Sequence, residues 1–218
     1  MGTDRTAAAG LTMTPAAPPD PAAGHELYLH IRVIISIVLG IAITRLLSGM
    51  ARFIQHPGKL KVYPVHLLWV LIVLISATHF WWWEFGLAAI VQWRFETFLF
   101  VLLYAYLFAL MANLLFPDAL EEYADYRDYF LSRRGWFFAL FIASMAIDLA
   151  DTAIKGRAYL AALGPEYMVR LALVTLLALV AVRTRNQRYQ LLFALFYLAY
   201  YISWIVRMYD PGRAVALG

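Results

Sequence analysis

Five ionisable residues stand in strongly apolar surroundings. Asp148, Asp151 and Lys155 fall late in GWFFALFIASMAIDLADTAIKG, residues 135–156, and His79 and Glu84 fall late in VHLLWVLIVLISATHFWWWEF, residues 65–85. A charged side chain at the centre of a lipid-facing helix costs about 2.5–3.5 kcal/mol on insertion scales, so such groups must be shielded by other helices. Carboxylates and histidines in that setting are the residue types that relay protons or hold cations. Ser144, Asp148, Asp151 or Thr152, and Lys155 follow helical spacing, and Asp151–Lys155 has the favourable acid-first i,i+4 order. Asp148 has no cation within a turn on its own helix. His79 shares a face with Ser76 and Trp83. If the two stretches cross a membrane in the directions argued below, His79 reaches nearly the depth of Asp148, with Glu84 a turn further out. The expected chemistry is a proton or cation path through Asp148, Asp151 and His79. The opposing expectation is that these charges only pair helices.

A second pattern lies upstream. Ser36, Gly40, Thr44 and Ser48 repeat every fourth residue, which puts them on one helix face. A stripe of small side chains lets another backbone come close, as in membrane helix pairs. It is expected to be a packing seam, within the chain or between copies. Arg45 beside it either snorkels towards the near surface or faces an interior cavity, with Asn113 as a partner.

The whole chain must position these groups. It has 218 residues, 63% hydrophobic and 15% charged, where a soluble domain has about 25% charged residues. Six apolar runs follow one another at residues 27–53, 65–91, 95–116, 135–155, 167–182 and 189–206. Each is near the roughly 17–25 residues that cross a bilayer core; the fifth is the shortest, and Arg170 can snorkel to extend it. The expected fold is an all-α polytopic membrane protein of six transmembrane helices, filling residues 27–209. Residues 1–26, rich in Ala, Pro and Thr, read as a disordered tail, and 210–218 as a short C-terminal tail. In the segment 117–134, Leu120, Tyr123, Tyr126 and Phe130 alternate with Glu121, Glu122, Asp125 and Asp128. That spacing predicts a short amphipathic helix at the interface.

Six spans put both termini on one side, called here the terminal side; the other is the loop-1 side. Lys and Arg divide almost evenly between them, with the densest short cluster, RTRNQR at 183–188, on the loop-1 side. The positive-inside rule therefore leans towards a cytoplasmic loop-1 side, against the usual preference of even-numbered bundles for inside termini. The net charge of +4 is spread along span flanks rather than gathered in one patch, so lipid headgroups are the expected counterpart and nucleic acid is not.

The segments IVLGIAITRLLSGMARFIQHPG, VHLLWVLIVLISATHFWWWEF, FPDALEEYADYRDYFLSRRGWFF and DLADTAIKG resemble those of an uncharacterised group of bacterial multi-pass membrane proteins with no established activity. The resemblance spans most of residues 30–156 and implies a bacterial inner membrane location; it brings no catalytic or binding residue with it. Separately, FPD at 116–118 and YDP at 209–211 each close a third span. The outline admits two three-helix halves of inverted topology, an arrangement that places transporter sites between the halves.

No cysteine is present, which excludes disulfides, thiolate catalysis and cysteine metal sites. GxSxG, HExxH, GxxxxGK[ST] and GxGxxG do not occur. A bis-histidine haem would need two histidines at equal depth on different helices, and His30, the nearest match to His79, belongs at the surface. No cofactor or metal is expected. Three function classes stay in view. The first is proton, cation or small-solute permeation. The second is a structural or accessory subunit, with a second copy or a membrane complex as partner besides the bilayer. The third is an intramembrane enzyme or cofactor binder, less favoured than a non-enzymatic role.

Overall fold

A computed structural model describes residues 21–56, 58, 60–90 and 92–210. Among these the chain is all helical: α1 Pro21–Gln55, α2 Pro64–Trp83, α3 Phe95–Leu115, α4 Tyr126–Ile154, α5 Arg157–Ala162, α6 Gly164–Arg183 and α7 Gln187–Met208, with a 3₁₀ helix, Glu84–Ala89, prolonging α2. Six of these helices are long and apolar enough to cross a membrane; the six-residue α5 is the exception. Their lengths come from ordinary stops and starts. Pro64 stands at the first turn of α2, and Pro165 at that of α6, where the missing N–H costs nothing. Asp125 caps α4 by accepting from the Asp128 amide at 2.9 Å. Asn186 caps α7 through the Arg188 and Tyr189 amides. Gly156 takes φ +113° between α4 and α5, a conformation that glycine adopts without strain.

Two expected boundaries move. The tail expected over 1–26 lies outside the described residues up to 20, and residues 21–26 form the first turns of α1. Proline is tolerated in a first turn and alanine favours helix, so Pro21-Ala22-Ala23 begins a helix although its composition resembles a tail. The 117–134 segment does not form a helix of its own. Residues 117–125 are turns and bends, and Tyr126 already belongs to α4. Tyr126 and Phe130 are buried against Phe53, Tyr63 and His66, so this face serves the bundle. Asp210 is described; the rest of the C-terminal tail lies outside the described residues.

The C-terminal end of α3 is held by three side chains from three helices. Helix ends leave carbonyls without intrahelical partners. Tyr129 of α4 donates to Leu114 O at 2.8 Å, His66 of α2 donates through Nε2 to Leu115 O at 2.6 Å, and Arg45 of α1 donates to Phe116 O at 2.6 Å. Arg45 also pairs with Asp118 at 2.5 Å. Asn113, its expected partner, instead donates to Ala109 O on its own helix.

Above this lock sits Trp69 of α2, with no exposed surface. Phe137, Phe138 and Phe141 of α4 and Phe193 of α7 meet it edge-on at 5.1–5.4 Å, and Tyr197 stacks at 6.1 Å. Edge-on geometry suits ring quadrupoles and adds about 0.5–1.5 kcal/mol per pair beyond burial. The two sets of three spans pack differently. In the first, α1 runs closely along α3; in the second, α4 runs closely along α6 and meets α7 only through long side chains.

The close contact of α1 with α3 does not use the expected stripe. Ile35, Leu39, Ala42, Leu46 and Gly49 face α3 and are buried. Gly40, Thr44 and Ser48 are exposed on the opposite side and Ser36 is half-buried, so within the chain the stripe is no seam. A Cβ at Gly40 would meet nothing, whereas one at Gly49 would overlap the Phe116 ring. The inner row sets the small Ala42 and Gly49 among large aliphatic side chains, and Gly49 lies directly against the Phe116 ring. Gly49→Ala should therefore destabilise the bundle by about 1–3 kcal/mol through overpacking, read as reduced folded yield and a lower melting temperature in detergent. Gly40→Leu should leave the folding of the monomer unchanged; equal behaviour of the two variants would contradict this packing.

Candidate functional site

The last three turns of α4 carry the polar stripe, and the structure turns it inward. Ser144, Asp151 and Thr152 are fully buried, and Asp148 is largely so. Two separate assemblies result. The first is a triad. Lys155 Nζ lies 2.7 Å from Asp151 and 3.2 Å from Glu84, and all three side chains are at most 2% exposed. The Trp83 carbonyl, at 3.4 Å, completes the ammonium's partners. The Trp83 and Tyr159 rings cover it at 5.3 and 5.9 Å, within cation–π range. One cation thus ties the end of α2 to the end of α4 in a dry contact. Burial raises the Tyr159 phenol above its ordinary range, which keeps the hydroxyl protonated beside this charge cluster.

The second assembly surrounds Asp148. Its two oxygens accept from Tyr104 of α3 at 3.3 Å and Tyr167 of α6 at 2.9 Å. The Tyr167 oxygen also lies 3.1 Å from the Thr152 hydroxyl, from which it accepts while its own proton goes to Asp148. Arg170 of α6 approaches Asp148 at 3.7 Å, near enough for charge attraction but beyond a direct hydrogen bond. Its guanidinium lies over Trp204 at 4.2 Å and Tyr167 at 5.2 Å. Arg170 is only 9% exposed; it does not snorkel, because Asp148 and two aromatic faces offer an internal alternative to the interface. Asp148 and Arg170 open onto an internal cavity of about 40 Å³, also lined by Ser76, His79, Tyr201 and Ser144. A cavity needs about 10–15 Å³ to hold one water, so this one has room for water.

His79 shares that cavity with Asp148 but is not hydrogen-bonded to it. Its Nδ1 meets Tyr201 at 2.8 Å and its Nε2 meets Tyr209 at 3.0 Å. Tyr201 is buried, while Tyr209 stands just after α7, partly exposed. Burial pushes the Tyr209 phenol up to about 12, so at neutral pH it is a hydroxyl that both donates and accepts. A neutral imidazole donates from one nitrogen and accepts at the other. Tyr209, His79 and Tyr201 therefore form a continuous hydrogen-bonded line from the terminal-side surface to the cavity wall.

The expected cluster of Asp148, Asp151, His79, Glu84 and Lys155 thus divides in two. Asp151, Glu84 and Lys155 are one contact, outside the cavity lining; Asp148 and His79 both line the cavity. Arg170, Tyr104, Tyr167 and Tyr201 also belong to the site; sequence reasoning read Arg170 as a snorkelling residue and gave none of the four a place in the polar cluster. For the two on α6 a signal was present: Tyr167, Arg170, Leu171, Val174, Ala178 and Ala181 form one buried stripe at helical spacing, with Arg170 among its apolar members. Among the described residues no group of three His, Asp or Glu is arranged to hold a metal.

No protein-family model, curated protein or solved structure matches the chain. Of the resemblance drawn from the segments, the structure bears out six apolar helices consistent with a multi-pass membrane protein.

Removing one partner from a buried ion pair leaves an uncompensated charge, at a cost of about 3–5 kcal/mol. Lys155→Met should therefore lower thermal stability in detergent sharply. Adding Glu84→Gln and Asp151→Asn should restore most of the loss, since neutral groups need no ammonium. A single Lys155→Met variant that melts like the wild type would show that the triad does not hold α2 to α4.

Proposed function

We propose that the protein is a multi-pass component of a bacterial inner membrane that moves protons through the Asp148 cavity. The observation that carries this reading is the cavity itself, a polar space inside the bundle between an acid–base pair and a histidine. Its volume suits water and protons and is too small for a solute of several heavy atoms. Asp148 is held by phenol hydroxyls and approached by Arg170 without being sealed by it. His79 supplies the outward step: a proton taken at one ring nitrogen leaves from the other, passing between Tyr201 and Tyr209. The triad acts as a structural tie beside this route and takes no part in the transfer.

A second reading has its own support. Ile72, Phe108, Met111 and Phe141 line the inner end of the cavity, and Trp69 lies one turn of α2 further towards the loop-1 side. This aromatic floor closes the bundle there. It favours a structural or accessory subunit unless the floor opens during transfer.

Reconstitution into proteoliposomes holding a pH-sensitive dye distinguishes the two. Under a potassium diffusion potential, the wild type should acidify or alkalinise the lumen faster than protein-free vesicles. Asp148→Asn should reduce that rate to background while eluting as folded protein, and Tyr209→Phe should slow it by breaking the outer step. Wild-type vesicles no faster than empty ones, or an Asp148→Asn variant that conducts normally, would defeat the proton-path reading.

A further inference from the structure

A second polar feature lies on the outer face of the bundle, away from the cavity. Arg32 of α1 has its guanidinium over Phe85 at 3.7 Å and over Trp81 at 4.8 Å. Among the described residues no carboxylate lies within ion-pair distance of it. The Trp81 ring beneath the guanidinium is held in place by two hydrogen bonds. Trp81 Nε1 donates to Ser36 Oγ at 2.8 Å, and Ser36 donates to the Arg32 carbonyl at 2.7 Å. Arg32, Ser36 and Trp81 border a surface groove together with Leu29, Val33 and Ile37, three aliphatic side chains that are each about half exposed.

The depth of Arg32 is set by α1. Arg32 and Arg52 are separated by about 30 Å of helix at 1.5 Å per residue, the thickness of the bilayer's hydrocarbon core. Arg32 therefore stands at the terminal-side headgroup level, where the Trp81 and Phe85 rings also belong. An arginine preorganised on aromatic faces keeps its planar fork of donors for a phosphate. The apolar edge of the same groove faces lipid.

We propose that Arg32, Trp81, Ser36 and the Leu29/Val33/Ile37 face form a binding site for one anionic phospholipid. Its phosphate accepts from the Arg32 guanidinium, and one acyl chain lies along the aliphatic residues of α1. The unpaired positive charge selects a headgroup of net negative charge, such as phosphatidylglycerol, over phosphatidylcholine, whose own ammonium already offsets its phosphate. This site is independent of the cavity and of what passes through it.

Native mass spectrometry of the full chain, titrated with phosphatidylglycerol and phosphatidylcholine of matched acyl chains, tests the site. The wild type should retain phosphatidylglycerol preferentially. Arg32→Gln should weaken that preference about five-fold, the contribution of one basic residue at an anionic surface. Arg94→Gln, which removes an exposed arginine on the same side, should leave it unchanged. Equal retention of the two lipids by the wild type, a preference that survives Arg32→Gln, or an equal loss in Arg94→Gln would overturn the proposal. Inorganic phosphate at millimolar concentration should not displace the bound lipid. Displacement by it would mean a soluble-anion site and would overturn the lipid assignment. The comparison of lipids on the wild type needs no variant, so it decides the matter even where Arg32→Gln fails to fold.

Discussion

Lys155 sets the constraint from which the terminal-side half of the bundle follows. Its ammonium is out of reach of water, with Asp151 at 2.7 Å and Glu84 at 3.2 Å. Desolvating such groups costs several kcal/mol per ion, and their attraction repays it only with good geometry. The triad is thus a demanding contact, satisfied in one arrangement of α2 against α4. In lipid, apolar surface gives little preference for one helix neighbour over another; a charge that must find its partner does. The turn from α2 into its 3₁₀ extension places Glu84 where α4 ends, and Gly156 then lets the chain leave Lys155 without disturbing it.

The opposite end of the bundle is joined by different chemistry. There α3 and α6 finish, and their last carbonyls need donors. Tyr129, His66 and Arg45 serve three successive carbonyls of α3, and Gln190 serves Ala181 and Thr184 at the end of α6. Helix C-termini carry partial negative charge, so the cationic Arg45 gains twice, from Phe116 O and from Asp118. On the terminal side the matching device is Glu166 in the first turn of α6, bonded to Arg207 in the last turn of α7 at 2.5 and 2.8 Å. Each charge there sits at the helix end whose dipole it complements.

The fold was legible because hydrophobic run length is a one-dimensional signal; all six apolar helices could be read from it. The inward turn of Ser144, Asp148, Asp151 and Lys155 was also legible, since helical spacing places them on one face. What spacing does not contain is the rotation of one helix against another. The α1 stripe of small residues and the row Ile35, Leu39, Ala42, Leu46 both repeat at helical period; only the fit against α3 decides which row turns inward. Arg170 was read as snorkelling because its distance from the helix end permits it. Its direction depends on Asp148 and Trp204, far away in sequence. His66 was passed over for a similar reason: its partner is a backbone carbonyl on α3, and carbonyls leave no mark in a sequence.

Both ends being locked, the cavity lies where it does by elimination. The Trp69 cluster fills the middle of the bundle with phenyl, phenol and indole rings. The triad fills the terminal-side contact of α2 with α4. Between them, α2, α3, α4, α6 and α7 present Ser76, His79, Tyr104, Asp148, Arg170 and Tyr201 to one another, with short Ser side chains on two of the five walls. Short polar side chains next to large aromatic ones leave space that apolar packing cannot close. The space is polar on its terminal-side walls and aromatic below, so any hydration is confined to the half of the bundle that Tyr209 connects to the surface. On the proton-path reading proposed above, Asp148 would exchange protons with the terminal side in this conformation, and passage to the loop-1 side would turn on the aromatic floor at Trp69.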